Sequence, residues 1–195
     1  MGRIKSALEI ALERTESVKS DKASIDLYGA KQLGKKLANE YLGDSRKNLE
    51  GELAKAPKEQ RASLKQGIFD VLVSQLTLPL SGDDQARIEA AGRGLQTVIN
   101  DPRFSAAVKQ LRELVSRYLG EVTRYEEAIT RQYEPKLRAK EEELSRRMGR
   151  QVKLDPFQDP EFAAFYNQNM NALKGNYQAL IDGIASEARR LFKAE

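Results

Sequence analysis

An all-α fold is predicted for this 195-residue chain by three observations. Apolar residues recur at steps of three and four along most of its length, no segment alternates with a period of two for long enough to read as a strand, and cap residues punctuate the pattern. The predicted architecture is a compact bundle of shorter helices packed on a long, kinked, antiparallel helical hairpin of coiled-coil character. Residues 1–100 supply the bundle and residues 101–195 the hairpin, and the two are expected to fold as one cooperative unit.

Residues 3–18 place Ile4, Ala7, Leu8, Ala11 and Leu12 on one stripe, with the charges opposite. Ser24 is a candidate N-cap for a second helix over 24–42, whose stripe reads Leu27, Ala30, Leu33, Leu37 and Tyr41 and which Gly43 is placed to end. A short helical piece over 45–55 stops before Pro57. The helix over 58–77 contains the most apolar run of the chain, Gly67 to Leu80, and is expected to be the most buried element of this half.

Pro79, Ser81, Gly82 and the pair Asp83 and Asp84 mark a loop and a new cap, and the helix that follows runs to about Ile99. Within it, Gly92 and Gly94 suit either a close helix crossing or a locally weak helix, each costing about 1 kcal/mol relative to alanine. Asn100-Asp101-Pro102 then signals a helix start, an Asp cap with proline at the first helical position. The pattern continues to Met148, roughly 70 Å of helix at 1.5 Å per residue. Leu111, Val115, Tyr118, Val122, Tyr125 and Ile129 alternate steps of four and three, the spacing of a coiled-coil seam. Tyr133, Leu137 and Leu144 extend the seam with a stutter, and Pro135 is expected to kink the helix there because its ring clashes with the carbonyl four residues back.

Residues 149–158 form the connector, and Asp159-Pro160-Glu161 repeats the cap-proline signal. The last helix, 160–193, aligns Phe162, Tyr166, Leu173, Tyr177, Leu180, Ile184 and Leu191. Two long amphipathic helices joined by a short connector fold back on one another, because neither buries its stripe alone.

Composition narrows the chemistry. The chain has no histidine, cysteine or tryptophan, which removes the commonest general base near neutral pH, the thiolate nucleophile and the best transition-metal ligands. Thiol, histidine-base, zinc and di-iron chemistry are therefore not expected, and no cofactor is. Gly29 to Lys35 matches the spacing of a phosphate-binding loop up to its lysine, but Lys36 stands where Ser or Thr belongs and the glycines lie in a helical pattern. Carboxylates remain for metal or acid–base work. Glu9, Glu13 and Glu16 share a face, Glu126 and Glu127 are adjacent, and Glu141 to Glu143 form a run. Each cluster has basic residues at helical spacing, the pattern of a solvated face.

Two features point to partners. Tyr118, Tyr125 and Tyr133 step along one face of the long helix, suited either to a seam with the last helix or to a partner's surface. The window 131–153 holds eight basic and four acidic residues, which equals the whole +4 net charge of the chain. Arg146, Arg147 and Arg150 in that window are the candidate contacts for an anionic partner.

The sequence contains no apolar run long enough to span a bilayer and no signal-peptide core, so a cytoplasmic protein is expected. Met1-Gly2 to Ser6 fits the N-myristoylation pattern, yet no cysteine supplies the second signal that stable anchoring needs. The expected role is a non-catalytic interaction or scaffold protein that associates with itself or with a protein partner. Binding of nucleic acid or an acidic partner by the 131–153 tip is the alternative, and a carboxylate–magnesium enzyme the second alternative.

Overall fold

Six α-helices and one turn of 3₁₀ helix account for most of the residues described by the computed structural model, which cover 7–193, with side chains described for 23–193. In chain order they are α1 (Ala7–Gly43), α2 (Leu49–Lys55), α3 (Lys58–Ser74), α4 (Gly82–Ile99), α5 (Phe104–Met148), the 3₁₀ turn (Pro156–Gln158) and α6 (Pro160–Lys193). The fold is all-α, and the described residues contain no strand. None of their helices is long and apolar enough to cross a membrane. The myristoylation pattern at residues 1–6 lies outside the described residues, as do the side chains of Glu9, Glu13 and Glu16.

α1 departs from the helix boundaries expected of the sequence. One helix runs unbroken where a break before Ser24 was expected. Residues 19–24 contain neither glycine nor proline, and Ser and Asp inside a helix cost only fractions of a kcal/mol, so nothing there forces a stop. The phosphate-loop spacing at Gly29 to Lys35 falls wholly inside this helix.

The buried stripe of α1 also differs from the expected one. Ala30, Gly34, Ala38 and Tyr41 are buried, whereas Leu27 and Leu33 are exposed. Close approach to α3 is the reason. A Cβ on Gly34 would overlap the carbonyl oxygen of Leu64, and one on Gly67 would overlap the carbonyl oxygen of Lys31. Backbones this near leave room at the crossing only for the smallest residues, so the leucines are displaced to the flanks. Lys31 reaches across to Asp70 at 2.8 Å, and Gln66 donates to the same carboxylate at 2.6 Å.

Caps set the other boundaries. Ser81, rather than Asp83 or Asp84, is the N-cap of α4: its Oγ accepts from the Asp84 amide at 3.3 Å, while Asp84 Oδ2 accepts from the Leu80 amide at 3.0 Å. Asn100 ends α4 in the left-handed region at φ 49°. Pro102 is not the first residue of α5. Asp101 instead holds a turn, with Oδ1 accepting from the Arg103 amide at 2.8 Å and the helix starting at Phe104. Met148 ends α5 as expected, with Gly149 at φ 63° beyond it. The helix continues through Pro135.

One hydrophobic core draws on all six helices, from Tyr41 on α1 through Leu49, Ile68, Leu95 and Val115 to Ile181 and Leu191 on α6. It therefore joins residues on both sides of position 100. On α6 Phe162, Tyr177, Ile184 and Leu191 are buried as expected, and the stripe departs at one place, where Ile181 is buried and Leu180 exposed. A second, smaller cluster centres on Ile129, Tyr133, Phe162 and Met170 and adjoins the main core through Val122 and Leu173.

Candidate functional site

The far ends of α5 and α6 meet over this second cluster. Tyr166 donates its hydroxyl to Glu126 and Tyr133 meets Phe162 edge-on at 5.2 Å, while nearer the main core Tyr118 packs on Tyr177 at 5.1 Å between ring centroids. Residue numbers rise on one helix as they fall on the other, so the two run antiparallel here. Phe157 of the 3₁₀ turn completes the aromatic group with edge contacts to Phe162 and Tyr166.

Asp159 is the one buried charged residue among those described, at 7% exposure. Burying a carboxylate is costly unless its lone pairs are met. Here they are: Lys140 Nζ donates at 2.8 and 3.0 Å, the Tyr133 hydroxyl at 3.0 Å and the Glu161 amide at 3.1 Å. Glu161 accepts from Lys140 at 2.8 Å and from Lys136 at 2.9 Å. The hydrogen bond from Lys140 holds the Asp159 carboxyl below its ordinary range. Lys140, then Lys136, draws Glu161 down to about 2. Lys140 itself is pushed up by the same two carboxylates, Asp159 first. Burial, then the bond to Asp159, raises the Tyr133 hydroxyl.

These shifts have a sign. Glu161 releases its proton more readily folded than unfolded, so its contribution to stability is complete above its ordinary 4.5 and disappears as pH falls through about 2. Asp159 acts in the same direction. Acid titration of the thermal midpoint is expected to show stability falling across this window, with a shallower slope in Glu161→Gln. Equal slopes in the two proteins would remove Glu161 from the acid response.

The candidate residues fall into different environments. Tyr118 and Tyr133 are buried between α5 and α6, and Tyr125 stays exposed. Arg146 and Arg147 are exposed and pair with Glu142 at 3.5 Å and Glu143 at 2.6 Å, one helical turn back. Arg150 is exposed in the connector. The basic character of the window is largely offset by the chain that folds onto it: Asp155, Asp159 and Glu161 reduce the net charge of 131–161 to +1. Lys136 and Lys140 are committed to Asp159 and Glu161, and Arg138 to Glu134. The run Glu141 to Glu143 is likewise occupied, with Glu141 Oε1 accepting from the Leu154 amide at 2.8 Å. Among the described residues, no group of three or more Asp or Glu is arranged to hold a metal ion.

Residues 50–190 match the model of a family of unknown function, DUF6657. The chain belongs to the DUF6657 family. No curated protein and no solved structure matches it. The DUF6657 match begins inside α2 and ends inside α6, so it takes in the whole Tyr133–Lys140–Asp159 cluster and leaves α1 outside.

Sequence reasoning missed the outer face of α1. Ile25 is 68% exposed, Tyr28 66% and Leu33 51%. At 100° per residue these side chains flank Gly29 on the side of the helix away from α3. A Cβ built on Gly29 meets nothing within 4 Å. The signal was present in the sequence, but only the crossing at Gly34 and Gly67 reveals which side of α1 is turned outward.

Proposed function

We propose that this DUF6657 protein is a non-catalytic interaction protein that self-associates through its long helices, acting as a scaffold. The outer face of α1 carries the reading. Ile25, Tyr28 and Leu33 place three large apolar side chains in water within about two helical turns, and a cluster of exposed large apolar residues supports an interaction face. A second copy is the occupant, because the face is complementary to itself. Antiparallel pairing about a two-fold axis at Gly29 brings Ile25 of each copy beside Leu33 of the other, and the glycine lets the helices approach closely. Tyr125 adds a further exposed aromatic on α5.

The same proposal takes α5 and α6 as a kinked, coiled-coil-like hairpin that holds the scaffold's length. Steps of four and three from Leu111 to Ile129 support the seam, and Pro135 supports the bend.

Light scattering across the micromolar range tests self-association. A dimer is expected, with Ile25→Lys and Leu33→Lys shifting it to monomer while the helical circular dichroism is retained. A monomer at every concentration, or a dimer indifferent to both substitutions, overturns the proposal.

A further inference from the structure

α1 outruns the helix that supports it. Lys31 meets Asp70 and Gly34 meets Leu64, so α1 and α3 run antiparallel, and α3 ends at Ser74, one helical turn beyond Asp70. The consequence is visible in α1 itself. Every residue from Ala23 to Gly29, about two full turns, is exposed whichever way it points, and burial begins at Ala30.

This stretch is also a weak helix in its own right. Of residues 17–29, only Lys19, Lys22, Ala23 and Leu27 are strong helix formers, and the other nine are serine, aspartate, β-branched residues, tyrosine or glycine. Helices in proteins owe most of their stability to the packing of one face. Within a single copy, residues 23–29 have no packed face.

The two-fold axis proposed above falls on this boundary. Antiparallel pairing about Gly29 sets position 25 against 33 and position 22 against 36, so the unsupported part of each α1 lies along the part of its partner that α3 holds. We infer that association of two copies and helix formation over residues 17–29 are one coupled step, with the supported half of each α1 acting as template for the unsupported half of the other. The coupling presupposes that two copies associate through α1. It makes the affinity of the dimer depend on helix propensity at positions that face away from the partner.

Positions 20 and 23 are two such places, on the side of the helix away from Ile25 and Gly29. Ala23→Gly is expected to raise the dimer dissociation constant about twentyfold, a factor of roughly four to five from each copy, and Ser20→Ala to lower it about fivefold. Sedimentation equilibrium measures both. The helical circular dichroism per residue of the parent protein is expected to rise over the same concentration range as its mass. A protein that still dimerises, with a dissociation constant unmoved by either substitution, overturns the coupling and leaves self-association standing. A monomer at every concentration overturns both.

Discussion

Gly67→Leu is expected to destabilise the fold by about 3 kcal/mol or more, the largest loss available from any single added side chain on α3. The carbonyl oxygen of Lys31 occupies the place its Cβ would take, and Gly34 faces the Leu64 carbonyl in the same way. Relief requires α1 and α3 to separate, because the obstructing atoms are backbone and no side chain is free to rotate aside. Separation would also pull Ala38 and Tyr41 away from the main core. Gly67→Ala adds a single carbon and is expected to cost about 1–3 kcal/mol. Combined with Gly34→Ala the cost should fall short of the sum, since one displacement of α1 relieves both. Gly175→Ala on α6 is the control: its added Cβ meets nothing within 4 Å, and helix propensity predicts a gain of up to about 1 kcal/mol. Urea denaturation measures these variants, Gly34→Ala alone included. A Gly67→Ala protein as stable as the parent would show that the crossing yields at no cost.

Phe162→Ala is expected to cost about 3–5 kcal/mol. The ring is 1% exposed and meets Tyr133, Phe157 and Tyr166. Its cluster is distinct from the main core, so the damage should be local. Emptying the centre of the aromatic group frees Tyr133, and the buried Asp159 then loses one of its three side-chain and backbone donors. Hydrogen exchange should accelerate across residues 126–166 and remain slow at Leu95, Val98 and Val115 in the main core. Uniform acceleration throughout the chain would show that the two clusters unfold as one unit.

The proposed self-association face and the acid-sensitive cluster differ in their legibility in the sequence. The basic window 131–153 was plain in composition, yet Lys136 and Lys140 turn out to serve carboxylates on the next helix. Asp159 was readable as a helix cap, which it is through the Glu161 amide. Its burial was not readable, because that depends on Lys140 arriving from a helix 19 residues away in sequence.

Sequence alone determined that this chain is helical, where α4, α5 and α6 stop and start to within a few residues, and which long faces are apolar. Those properties follow from interactions within three or four residues: periodic side chains, caps, and glycine or proline at helix ends. Tertiary structure alone decided that Gly34 and Gly67 form the crossing of α1 with α3, and that Leu33 and Leu180 face water while Ala30 and Ile181 do not. Helical periodicity leaves the rotation of a helix uncertain by about one residue, or 100°. Steric fit between backbones, which no local pattern records, selects the rotation that is observed.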